Sequence, residues 1–214
     1  MKYAIVLLSI FLIGCSNKKS SFHFKIDKSI AEKVKTEIGE LDADENRNNR
    51  LSDAGHYYVH TKVKYFVNDT LTASYNYEEH VQTYYTEIGN GDTSMLILSF
   101  NVWGAYSPFV YFYKDTFSVF YTVYAHENGD FRFAKKKTDT LAEYLNLKPQ
   151  SYELILSEKP DLKKKNIIYG YIRVKSEPFL DKRSGLDTFF VNEKSMYFRA
   201  GYWDGNYRSS VTNE

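Results

Sequence analysis

From His56 onward, apolar and polar residues alternate with a period of two. Tyr57, Val59, Val63, Tyr65 and Val67 fall on one side of the chain, and His56, His60, Lys62 and Lys64 on the other. Successive side chains of an extended chain point to opposite faces, so this spacing predicts a strand with one buried and one wet face. Asn68 and Asp69 tolerate positive φ and predict a turn. A second alternating run sets Tyr75, Tyr77, Val81 and Tyr85 against Asn76, Glu78, His80 and Gln82. The two runs together predict a long hairpin.

Gly89 to Asp92 marks the next turn, and the nearly continuous apolar run Met95 to Phe100 predicts a central strand buried on both faces. Phe109–Tyr113, Phe117–Ala125 and Phe131–Ala134 continue the meander, divided by turns at Lys114–Asp115 and Asn128–Gly129. Thr140 to Leu145 admits a short capped helix or a strand. Tyr152–Leu156, Ile167–Val174, Thr188–Val191 and Met196–Tyr202 predict four more strands, with Asn192, Glu193 and Lys194 turning the last pair. Ahead of all these, Ile26, Ile30, Val34 and Ile38 recur every four residues, Asp27 or Ser29 can cap the start, Glu32 completes a capping box with Ser29, and Gly39 suits the stop. The expected fold is mainly β: an antiparallel β-sandwich or open barrel of about ten strands, with one short N-terminal helix.

The first residues follow a different pattern. Lys2 precedes an apolar run from Tyr3 to Ile13, the layout of a secretory signal peptide, and the run is shorter than the roughly 20 apolar residues that cross a bilayer. Leu12, Ile13, Gly14 and Cys15 resemble the lipobox of bacterial lipoproteins. That resemblance implies cleavage before Cys15, a diacylglyceryl group on its thiol, a second acyl chain on its amino group, and a stable membrane anchor. It places the protein in the bacterial cell envelope. Lipoproteins exported to the cell surface in some bacterial groups carry acidic residues after the cysteine. Ser16, Asn17, Lys18 and Lys19 stand there instead, which points to the periplasmic side. The chain then divides into a signal peptide (1–14), a lipidated Cys15 with a flexible Lys- and Ser-rich tether (15–25), and a single β-rich domain (26–214).

Cys15 is the single cysteine, so a lipidated mature chain has no disulfide and owes its stability to burial and hydrogen bonding. Aromatic residues make up 17% of the chain, with 20 Tyr and 15 Phe, a composition that suits pleated surfaces. The formal net charge of +1 drops to zero with the loss of Lys2, which argues against a nucleic-acid partner.

Asp44, Asn46 and Asn48 alternate as the first ligands of a calcium loop do, yet Asn49 stands where such a loop needs glycine and Gly55 where it needs a bidentate Glu. A solvated Asn- and Asp-rich loop accounts for them, and no metal site is expected. His56 and His60 on one strand stand about 13 Å apart, too far to share an ion. Neighbouring Glu78 and Glu79 point to opposite faces and cannot act as one acid–base pair. No nucleophile elbow, zinc-protease helix or phosphate-binding glycine loop occurs. Trp103 and Tyr106, in a segment joining two hydrophobic strands, and Tyr202 and Trp203, closing the last strand, are candidate binding residues, since strand-end aromatics either anchor partners or seal the core. Lys135–Lys137 and Lys163–Lys165 read as solvated loops, or as local contacts to acidic headgroups or polysaccharide.

These features favour a non-enzymatic binding or interaction module anchored in the envelope, with a protein or glycan partner and no cofactor beyond the lipid on Cys15. Two alternatives are an envelope hydrolase or glycan-processing enzyme whose acidic residues converge only in the fold, and an immunity-like lipoprotein that neutralises a toxin.

Overall fold

The structure is a computed structural model that describes residues 22–42, 56–89, 91–100, 104–113, 116–125, 132–182 and 188–204. Cys15, the segment with Asp44, Asn46 and Asn48, and Trp103 lie outside the described residues.

The chain opens with β1 (Phe22–Ile26) and α1 (Ile30–Asp42). The hairpin follows as β2 (His56–Val67) and β3 (Thr70–Glu87), then β4 (Thr93–Phe100), β5 (Gly104–Tyr113) and β6 (Thr116–Ala125). Two short strands, β7 (Phe133–Ala134) and β8 (Tyr144–Leu147), precede β9 (Pro149–Leu156), β10 (Ile168–Ser176), β11 (Phe179–Asp181) and β12 (Phe189–Tyr202). The protein is therefore mainly β with one short N-terminal helix, as the periodicity predicts. Its strands form one large open sheet in the order β1-β9-β10-β12-β2-β3-β4-β5-β6-β8. The sheet is mixed: β1 runs parallel to β9, and the end of β12 runs parallel to β3, while the other pairings are antiparallel.

β3 is the corner of the sheet. Its 18 residues pair with β2 from Thr70 to Gln82 and with β4 from His80 to Glu87, so one strand serves two halves of the sheet. The halves then face each other across the core. Phe24 of β1 and Tyr152 of β9 meet Phe117 of β6, at ring separations of 4.5 and 5.9 Å, although β6 pairs with neither strand. A ribbon of β11 and β7 leaves β12 and reaches the β8 end through one bridge, Phe133 to Ala142, with two backbone bonds of 2.8 Å. Alternate residues of each strand fill the interior, among them Val59, Val81, Met95, Val110, Tyr121, Leu154, Ile172 and Phe198. Ile30, Val34 and Ile38 of α1 join the same cluster.

The N-terminal boundaries differ from the sequence expectation. Residues 22–26, read from composition as the end of the tether and the start of a helix, form β1, because Phe22, Phe24 and Ile26 complete the face begun by Tyr152, Leu154 and Leu156. The helix starts at Ile30, where the Asp27 carboxylate accepts the Ser29 backbone N–H at 3.0 Å and the Ser29 hydroxyl at 2.7 Å. It passes through Gly39 to Asp42. Of the two options for residues 140–145, the strand is formed, since Leu145 and Leu147 pair with Val123 and Tyr121.

A larger correction concerns Asn192, Glu193 and Lys194. They are not a turn but the middle of β12, a continuous strand of 14 residues. Asn192 and Lys194 face the interior, and each meets a partner there, although the Asn192 side-chain nitrogen has none among the described residues. The Tyr121 hydroxyl, from across the core, bonds the Asn192 side-chain oxygen, and the Asn192 backbone N–H donates to Ser176 Oγ at 3.0 Å. Lys194 Nζ lies 2.7 Å from Glu79 Oε2, and the two side chains are 2% and 7% exposed. A polar triplet that signals a turn in isolation is tolerated mid-strand when buried partners await it.

Candidate functional site

The sheet has two distinct ends. At the upper end β1 gives way to α1, β3 meets β4, β9 meets β10, and β12 terminates. A cleft of about 780 Å³ opens there, lined by Glu87, Gly91 and Thr93 of the β3–β4 connection and by Glu158 through Lys164 of the β9–β10 connection. Charges of both signs meet in it: Glu87, Glu158 and Asp161 against Lys159, Lys163 and Lys164.

The β9–β10 loop is built to hold its shape. Pro160 and Asp161 start a tight turn in which Asp161 Oδ1 accepts the backbone N–H groups of Lys163 and Lys164 at 2.9 and 3.2 Å. These bonds favour the ionised carboxylate and hold the Asp161 pKa below its ordinary value. The Lys165 N–H closes the turn on the Asp161 carbonyl at 2.8 Å, with Lys165 itself at φ 49°. Asn166 ties the loop to the body. Its Oδ1 accepts the Asp161 N–H at 3.1 Å, and the hydroxyl of buried Tyr85 donates to the Asn166 carbonyl at 2.7 Å. Burial first, then the Asp161 and Glu158 carboxylates, pushes the Tyr85 phenol up to about 12. Opposite the loop, Gly89 and Gly91 at φ 102° and 82° let the β3–β4 connection turn tightly, with Asp92 N–H on the Gly89 carbonyl at 3.0 Å.

The sequence-derived aromatic residues are divided by this architecture. Tyr202 and Trp203 lie at the upper end, because β12 outruns β2 and pairs directly with β3, Gly201 against Tyr84 and Tyr202 against Tyr85. Strand alternation sends their side chains to opposite faces. Tyr202 packs at 5.7 Å against Tyr85, with Lys165 Nζ 4.6 Å over its ring. Trp203 meets Tyr84 edge-on at 4.6 Å, and its buried Nε1 has no hydrogen-bond partner among the described residues. Tyr106 lies in β5 rather than in a loop, paired with Val123 of β6, six residues along the strand from the Phe112–Thr93 pair that marks the upper end. Tyr202 and Trp203 are thus neighbours in sequence that serve two different faces of the upper end.

His60 is exposed on β2, and among the described residues no three His, Cys, Asp or Glu side chains converge to hold a metal. Glu87, Glu158, Tyr85 and Asn166 escape sequence reasoning because they come together only when the two connections are juxtaposed. Of the two connections, the sequence marks the turn at Gly89–Asp92 in advance and reads the other only as the lysine run Lys163–Lys165. Comparisons with protein-family models, with curated proteins and with solved structures find no match to this chain.

Proposed function

We propose that this protein is a lipid-anchored envelope protein that acts as a non-enzymatic binding module, with the upper-end cleft as its ligand site. The observation that carries the reading is the pinned Glu158–Asn166 loop: a surface connection held by a capped turn, by Asn166 and by a buried tyrosine keeps its charged side chains in place before a partner arrives. The anchor is inferred from the lipobox-like Leu12–Cys15.

Opposed charges favour a protein or peptide partner over a glycan. Sugar recognition of the stacking kind needs an open ring face, and Tyr202 is covered by Lys165 while Trp203 is engaged by Tyr84. The test is capture from envelope extract by the mature chain, run beside the charge-reversed variant Glu158→Lys/Lys163→Glu, with a glycan array in parallel. A protein retained by the wild type and lost by the variant supports the reading. Equal retention by both, or binding confined to glycans, overturns it.

A further inference from the structure

β3 outruns its neighbour on one side. β2 covers it from Thr70 to Gln82, but β4 reaches only from His80 to Glu87. Among the described residues, no strand pairs with the other edge of β3 between Thr70 and Tyr77. Each of these residues except half-buried Ala73 is exposed, on both faces of the sheet, with Tyr75 at 47% and Tyr77 at 40%. Edge strands of natural proteins are shielded from one another by charges, prolines or bulges. Thr70 to Tyr77 holds neither a charge nor a proline, and the register shift opposite Tyr65 and Phe66 leaves Ala73 to Gln82 regular.

The parity of the ladder tells which backbone groups face outward. The Ile88 N–H donates to the Asp92 carbonyl, on the β4 side, while the Tyr85 carbonyl accepts the Trp203 N–H, on the β12 side. The N–H and C=O of one residue point the same way, and successive residues alternate, so Ser74, Asn76 and Glu78 aim theirs away from β2. An antiparallel strand added to this edge exchanges its bonds at these even positions.

We propose that two copies of this chain join edge to edge here, β3 against the same strand of the second copy, antiparallel about a two-fold axis at Asn76. Asn76 then meets itself, Tyr75 meets Tyr77 of the second copy, and Ser74 meets Glu78. The side chains match that register. Tyr75 and Tyr77 already stack at 5.5 Å, with Tyr65 edge-on to Tyr75 at 6.0 Å, so the pairing extends one aromatic row across the axis. On the opposite face, Glu193, Lys64 and Ser74 form a row across β12, β2 and β3, with the Lys64 ammonium 2.7 Å from Glu193. The second copy adds Glu78 to that row, an acid facing a base across one serine, and no like charges stand directly opposite. The contact closes on itself, because the far edge of β2 is taken by β12. It uses neither the cleft nor the lipid anchor, and its size puts it at the weak end of protein interfaces, below about 1,200 Å² in total.

The experiment uses the chain from residue 15 with Cys15→Ser, which retains every described residue and no thiol. In sedimentation equilibrium from about 10 µM to about 1 mM, the average mass should rise from one chain toward two. Asn76→Lys sets like charges face to face at the axis and should raise the dissociation constant at least about tenfold. A thiol reports the register even where that variant folds poorly. Hydrogen-bonded partners stand about 5.5 Å apart at Cα, within disulfide reach, whereas a residue two positions off the axis stands about 14 Å from its own copy. Under dissolved oxygen, Asn76→Cys should therefore form a disulfide-linked dimer and Ser74→Cys should not. A single chain at every concentration, a dimer indifferent to Asn76→Lys, or cross-linking that is absent at position 76 or equal at both positions overturns the proposal. A monomer that captures an envelope protein only while Asn76 is intact gives the edge to a foreign strand, and overturns it too.

Discussion

Removing one member of the buried Glu79–Lys194 pair should unfold this protein more readily than any surface change. The ammonium and carboxylate stand 2.7 Å apart with almost no exposure, on β12 and β3, strands separated by β2. Burial pulls the Lys194 pKa down and Glu79 draws it back up, so the charge of Lys194 depends on its partner. Lys194→Met leaves the carboxylate in an apolar interior, at a cost of about 3–5 kcal/mol, and Glu79→Leu leaves the ammonium in the same position. Replacing both, as in Lys194→Met/Glu79→Leu, removes two desolvation costs together and should recover most of that loss. Urea unfolding of the four proteins gives the cycle directly. Single changes costing less than about 1 kcal/mol, or a double variant as unstable as the sum of the singles, would refute the reasoning.

Gly170 lies opposite Phe198 in the β10–β12 ladder, and a Cβ there would overlap the Phe198 ring and stand 2.9 Å from the Ile155 carbonyl oxygen. Gly170→Ala should cost about 1–3 kcal/mol and lower the Tm by several degrees; an unchanged melt would contradict the packing. Tyr85 holds its proton more tightly folded than unfolded, so its contribution is complete below pH 10 and fades as pH climbs through about 12. In denaturation between pH 9 and 12, Tyr85→Phe should therefore flatten the decline, and parallel curves would remove Tyr85 as its cause. Asn166→Ala releases two anchors of the β9–β10 loop. Hydrogen exchange at Asp161 and Lys165 should accelerate while β9 and β10 stay protected, and unchanged exchange would mean the loop is held otherwise.

How far the sequence discloses this molecule depends on how local each signal is. β2, β3, β6, β9 and β10 stand close to where alternation places them, because one dry and one wet face impose a period of two. Asn68 and Asp69, at φ 48° and 61°, form the expected turn. β12 is divided by sequence reasoning because its polar residues are matched by Tyr121, Ser176 and Glu79, partners up to about a hundred residues away. β11 is too short to carry a period, and β1 shows its face only beside β9. The cleft is illegible for the same reason: Glu87 and Glu158 are neighbours only through the order of the sheet. Both lysine runs are legible as loops, but their positions at opposite ends follow from topology alone.

The most direct test of the account is lysine cross-linking of the full-length protein in intact cells, read by mass spectrometry. The account predicts that links to a partner protein concentrate at Lys159, Lys163 and Lys164, while Lys136, Lys148 and Lys182 at the far end yield none. Partner links confined to the far end, with the cleft lysines silent, would contradict it.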